Sequence, residues 1–176
     1  LGGVVNIITR KGTEAARPTG TVGVEFGSHG RVRTAGSVRG QSGPVDYSFS
    51  LLRESEDGIS AQDTAMNGDN DAWRNRQVQG TIGLRLAENV RLEYFGRYSS
   101  LDEEYDMGTP ASDWGPATLD SGDLHSQRWM SGLRLAATDL FDGLLDTALG
   151  ASVADLTRGY RDDAGWSWKD RRSEER

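Results

Sequence analysis

The residues best equipped for chemistry are carboxylates gathered in two stretches. The first, Glu54 to Asn75, carries Glu54, Glu56, Asp57, Asp63, Asp69 and Asp71, and the second, Ser100 to Ser126, carries Asp102, Glu103, Glu104, Asp106, Asp113, Asp120 and Asp123. Carboxylates that converge repel one another unless a cation or a basic group lies between them. Calcium accepts roughly 6–8 oxygen ligands in a flexible geometry, so two meeting Asp-rich loops would suit it. Gly68-Asp69-Asn70-Asp71 is not an EF-hand loop, because the invariant glycine and the distal glutamate are missing. The plainer alternative is a pair of solvated acidic loops. Glu103 and Glu104 are the kind of pair used in acid–base catalysis. No pocket or partner group is indicated for them, however. No Ser/His/Asp set, phosphate loop or metal-spaced histidine pair accompanies them, so the chain is not expected to be an enzyme. His29 reads as a hairpin-tip residue, and His125 as a turn or interface residue just before a strand.

The elements that hold these stretches show period-2 alternation, the mark of strands with two different faces. Thr19 to Gly27 sets Val22, Val24 and Phe26 against Thr21, Gly23 and Glu25. Similar runs follow at Arg31 to Gly40, Val45 to Arg53, Arg76 to Leu86, Val90 to Ser99, Gln127 to Ala137 and Leu144 to Leu156. Each is about as long as the roughly 9–11 residues that cross a bilayer at a tilt. The polar faces carry full charges such as Arg39, Arg85, Glu93 and Arg134. That suits the wet interior of a large barrel, and equally the solvent face of a soluble sandwich.

The connections separate these two readings. Gln41 to Pro44, Ala87 to Asn89 and Thr138 to Gly143 are short, whereas Glu54 to Asn75, Ser100 to Ser126 and the polar stretch from Thr157 onward are long. In an antiparallel meander, alternating short and long connections put tight turns at one end and long loops at the other; the first hairpin, Ser28 to Gly30, is the short connection on the long-loop side. Outer-membrane barrels have that asymmetry. Trp73, Trp114, Trp129, Trp166 and Trp168 all fall on or near the long-loop side, where interfacial belts and ligand-contacting loops are found.

Composition agrees. Mean hydropathy is −0.61, and no run approaches the roughly 18 apolar residues of a membrane helix. A barrel strand turns only alternate residues to lipid, so its average stays low. The formal charge of −7 argues against a nucleic-acid partner, and the absence of cysteine excludes a disulfide framework or a cysteine-based zinc site.

The start of the chain differs. Val4 to Ile8 is continuously apolar and lies between a Gly pair and Arg10-Lys11-Gly12, which reads as a short buried strand. Gly2-Gly3-Val4-Val5-Asn6-Ile7-Ile8-Thr9 resembles the closing segment of the plug in TonB-dependent outer-membrane receptors. The resemblance implies an all-β fold in three parts. Residues 1–12 would be the end of the plug and 13–18 a linker. Residues 19–176 would be the first part of an antiparallel transmembrane β-barrel, about seven strands of the family's 22. It also implies a bacterial outer-membrane location, lipid around the barrel, and an inner-membrane TonB complex as energy source.

Within that family, Asp57-Gly58-Ile59-Ser60, Gly68-Asp69-Asn70-Asp71, Tyr105-Asp106, Leu119-Asp120 and Ser126-Gln127-Arg128-Trp129 look like loop segments of the cobalamin receptors. That implies a corrinoid ligand, with a ferric siderophore or haem as the rival. It also implies calcium held by Asp69, Asp71, Tyr105, Asp106 and Asp120. One upstream ligand of the family has no clean counterpart, since Ser60 stands near its place; Asp57 or Asp63 would have to substitute. A passive porin or adhesin barrel shares the alternation but lacks a plug. A soluble β-sandwich would fold alone in water.

Overall fold

The structure, a computed structural model, describes residues 17–59, 70–109, 118–162 and 167–175, with side chains except at 106–109, 118–121 and 162. Among the described residues, strands follow one another along the chain: β1 (Thr19–Phe26), β2 (Val32–Ser42), β3 (Val45–Glu56), β4 (Trp73–Ala87), β5 (Val90–Thr109), β6 (Thr118–Leu140), β7 (Leu145–Asp162) and β8 (Ser167–Glu175). They form one antiparallel sheet in sequence order, β1 to β8. Chain neighbours are therefore always sheet neighbours, as in an up-and-down barrel wall.

Directly opposed residues share a face, so the register assigns every side chain. Leu51, Val78, Tyr98 and Trp129 form one cross-strand row, as do Tyr47, Ile82, Tyr94, Leu133 and Ala151. These rows lie on the same face as Val22, Val38 and Leu149. The opposite face carries Thr21, Ser37, Ser50, Gln79, Arg97 and Met130 in one row, with Arg33, Glu93 and Arg134 on the same side. The apolar face packs against nothing. Val22 is 85% exposed, Leu149 74% and Leu133 51%, and Tyr160 is the buried hydrophobic residue among those described.

The sheet curls toward its polar side. Neighbouring strands lie about 4.8 Å apart, which would put β1 and β6 about 24 Å apart in a flat sheet. Yet Thr19 and Thr21 of β1 line one cavity of about 540 Å³ with Ser48, Gln79, Arg97 and, on β6, Met130. Polar inside and apolar outside is the sidedness of a membrane barrel.

Glycines seat rings across the strands. Phe49 lies over Gly80 and Phe95 over Gly132, where a Cβ would come within 2.7 Å and 2.6 Å of the ring. On the polar face, Arg91 bridges Asp46 at 2.7 Å and Glu93 at 3.1 Å, above Gly83. The β1–β2 hairpin turns at His29 and Gly30, both with positive φ (54° and 68°), the backbone such a tight turn demands. His29 thus sits at the hairpin tip. Arg31 of that hairpin is tied to the nearly buried Glu54 of β3. The hydrogen bond to Glu54, then its charge, holds the Arg31 guanidinium above its usual pKa.

The fold class agrees with the alternation, but the strand boundaries need correction. Seven runs are legible in the sequence, whereas the described residues contain eight strands. β5 continues to Thr109 and β6 starts at Thr118, so Ser100 to Ser126 is mostly a paired ladder rather than a loop. His125 lies inside β6, opposite Asp102, not ahead of a strand. Thr157 to Asp162 extends β7, and β8 follows. Backbone pairing persists through these extensions without a regular apolar alternation to reveal it in the sequence. Residues 1–16, read as plug end and linker, lie outside the described residues.

Candidate functional site

The strand extensions rise beyond the apolar rows at the long-loop end. Their polar-side face is not uniformly polar. One cross-strand row runs Glu56, Trp73, Glu103, Leu124, Tyr160 and Trp168, from β3 to β8. Three of its six members are aromatic, and Tyr160 is 5% exposed. Tyr105 stacks against it in a tilted arrangement with ring centroids 5.4 Å apart. Gly122, opposite Tyr105, makes room, since a Cβ there would meet the Tyr160 ring at 2.8 Å and the Arg161 carbonyl at 3.0 Å. The result is an aromatic shelf on the inner wall, each ring held by a strand rather than by a loop. Tyr160 is packed within the wall, while the Trp168 ring, 40% exposed, and the partly exposed Trp73 have surface left to offer.

Carboxylates border the shelf. Asp71, Trp73, Leu101, Glu103, Glu104 and Tyr105 with Leu124 line a hollow of about 600 Å³. A second hollow of about 820 Å³ lies between β4 and β8, lined largely by residues of the outward face, Arg74, Asp102, Asp123, His125 and Lys169. In it Asp102 and His125 form a direct pair. The inner side of this end therefore combines apolar rings with carboxylates, a composition that orients a bulky ligand bearing polar groups.

The five expected calcium ligands fall as follows. Asp71 and Tyr105 line the same hollow. Asp106 and Asp120 belong to β5 and β6, not to a loop, and their backbones are one ladder step apart: Asp106 faces Ser121 and Asp120 faces Met107. Asp69 lies outside the described residues, as does Asp63. The Asp57 carboxylate packs on Gly30 of the β1–β2 hairpin, while the next residue, Gly58 (φ 71°), lies against the Asp71 carbonyl. Among the described residues no group of three or more acidic or histidine side chains is placed to hold a metal. Asp71, Glu103 and Glu104 nonetheless border one hollow, and oxygen donors of that kind are what a hard cation takes.

Sequence reasoning missed Tyr160, Leu124 and Gly122. Tyr160 sits four residues ahead of the centre of the β7–β8 connection and Trp168 four beyond it, as their pairing requires. Such mirror placement about a loop was the available signal. Trp73 and Trp168 were legible as long-loop-side residues, and both lie on the shelf. Trp129 instead lies on the apolar face, at the last apolar row before the extension.

No family model matches the chain. No solved structure matches it. Among curated proteins, the chain is similar to the vitamin B12 transporter BtuB of Photobacterium profundum, with 31% identity over 109 residues, which is 60% of this chain. The matched stretch is 17% of that relative, so the chain spans well under a fifth of the length of the curated protein it matches. A likeness to receptors of the TonB-dependent kind is what this similarity supports.

Proposed function

We propose that this chain is part of the barrel wall of an outer-membrane receptor that binds a scarce, bulky nutrient on its outer side and imports it with energy from TonB. The observation that carries the reading is the separation of faces across all of β1 to β7. An unpartnered apolar face and a charged, concave one are what hydrocarbon outside and water inside require. In this reading residues 1–12 close a plug, 13–18 link it to the wall, and the wall begins at Thr19. The role is binding and transport, not catalysis.

A corrinoid is the leading ligand. Its support is the similarity to a vitamin B12 transporter together with the shelf of Trp73, Tyr160 and Trp168, which suits a broad, mostly flat molecule. Calcium fits the same end. Asp71 and Tyr105 would hold it together with Asp69, Asp106 and Asp120, and it would supply the positive charge that lets these acidic strand ends approach each other.

The test is a titration of the intact receptor containing this chain with cyanocobalamin, with and without calcium. We expect a Kd tighter than about 1 µM, and a loss of roughly tenfold or more in the Tyr160→Ala, Trp168→Ala double variant, the usual range for buried aromatic contacts. Binding of a ferric siderophore or haem with no response to cyanocobalamin would move the assignment to those ligands. Calcium removal is expected to weaken ligand binding, and an Asp71→Asn, Asp106→Asn variant to lose that dependence.

A further inference from the structure

The outward face of the strand extensions holds a basic cluster that the inner-wall reading leaves unused. Above the row Leu51, Val78, Tyr98 and Trp129, the next outward row begins with Arg53 directly opposite Arg76. One step further, Arg74 stands opposite Ser55 on the same face. All three arginines are exposed. Like charges facing each other across a ladder destabilise it unless a counter-charge is supplied. Among the described residues no carboxylate stands directly across the ladder from Arg53 or Arg76, whose other neighbours are Thr34 and Ser100. The acids of β3, Glu54 and Glu56, lie on the other face, and Glu54 is taken by Arg31. Arg74 differs from that pair: Asp102 stands across from it, shared with His125, and Glu104 and Asp123 line the same hollow.

The height of the cluster is fixed independently. Tyr98 and Trp129 oppose each other at the last apolar row, where interfacial aromatics belong. On β4 the band from Leu84 to Val78 covers about 20 Å along the strand, or about 15 Å of height at the ~40° tilt of such strands, within the ~25 Å belt of such barrels. Arg76 follows two residues later and Arg74 four, about 7 and 13 Å further along the strand. That is headgroup depth. Arginine forks match phosphate oxygens two at a time and suit that depth better than a carboxylate would.

We propose that Arg53, Arg74 and Arg76 form a docking site on the lipid-facing wall for the phosphate groups of an anionic outer-leaflet lipid headgroup. The site rests on the barrel reading above. The lipid phosphate neutralises the Arg53–Arg76 repulsion and fixes this part of the wall at a set height in the bilayer.

The test uses the intact receptor in mild detergent, with native mass spectrometry counting bound lipid. The probes are a bis-phosphorylated glycolipid, the same glycolipid without phosphates, and inorganic phosphate. The wild type should retain the phosphorylated glycolipid alone. R76Q should weaken it roughly fivefold, and the R53Q/R74Q/R76Q variant ~100-fold, near the value of one surface charge each. A variant with Arg85, Arg128 and Arg134 of the inner face changed to Gln should bind as wild type. Unchanged retention by the triple variant, equal loss in the inner-face control, or equal retention of the phosphate-free glycolipid would each overturn the site. Inorganic phosphate held as tightly as the lipid would overturn the lipid assignment. Should the triple variant not fold, R76Q alone answers the question. Quenching of Trp129 by brominated acyl chains tests the barrel reading separately. Quenching with unaltered lipid binding sinks only this site, whereas no quenching sinks the barrel.

Discussion

The same antiparallel ladder runs through two regions that differ in almost everything else. Between the short turns and the row of Leu51, Val78, Tyr98 and Trp129, alternate residues are apolar and the outward face has no protein partner. Beyond that row, from Ser100 to Thr109 and from Thr118 to Gln127, pairing continues residue for residue while the outward face becomes polar or charged. There the apolar surface moves to the inner side, as the Trp73–Tyr160–Trp168 row. Backbone hydrogen bonding therefore makes the strands in both regions. Side-chain chemistry separates them: one face is apolar and the other polar in the lower region, whereas the outward face turns polar in the upper one.

The comparison breaks most easily by placing one charge in each region. Leu133→Arg puts a guanidinium in the middle of the outward apolar face, where the bilayer reading assigns a cost of ~2–4 kcal/mol. Gln127→Arg makes the same kind of change on the same face and strand, two residues above Trp129, and should cost ~0–1 kcal/mol. Urea-dependent folding of the intact protein into lipid vesicles measures both. Equal costs would mean that the two regions face the same medium.

A steric pair sharpens the contrast within the lower region. At Gly132 a Cβ would meet the Phe95 ring at 2.6 Å and the Ala151 carbonyl at 2.7 Å. The ring has some freedom, but the backbone carbonyl has little. Gly132→Ala should therefore destabilise by ~1–3 kcal/mol, as overpacking does. At Gly23 nothing lies within 4 Å of the added carbon, so Gly23→Ala should fall within ~0.5 kcal/mol of wild type. The same vesicle-folding titration applies, and a silent Gly132→Ala would show that Phe95 is not seated on that glycine.

This contrast also explains what the sequence made legible. Where two media meet, alternation is compulsory, and Val45 to Arg53, Arg76 to Leu86 and Val90 to Ser99 each align with a strand. Where the outward face turns polar, as at Asp102 to Tyr105 or Thr157 to Arg161, nothing local marks a strand, and those segments read as loop. The aromatic shelf was hidden for a further reason. Trp73, Leu124, Tyr160 and Trp168 become neighbours only through register across β4 to β8, and register is a property of pairs of segments. The candidate calcium residues came from resemblance; among the described side chains, Asp71 and Tyr105 line one hollow.

The smallest expected effect compares two ion pairs. Arg171 reaches Asp155 at 2.7 Å on the outward face of β7 and β8, with the guanidinium 73% exposed. Water and salt screen such a pair, so Asp155→Asn should change stability by ~0–1 kcal/mol, with any effect fading at high ionic strength. Arg91 lies on the inner face, 29% exposed, between Asp46 and Glu93, which are 17% and 15% exposed. Removing it leaves two half-shielded carboxylates, Asp46 of β3 and Glu93 of β5, facing each other across Gly83 of β4. Arg91→Gln should therefore cost more, ~1–3 kcal/mol, and respond less to salt. The vesicle-folding titration repeated at low and high salt separates them. A larger or more salt-resistant loss at Asp155 than at Arg91 would mean that the concave side is the wetter of the two at that height, opposite to a wall whose Arg91 cluster is packed over Gly83.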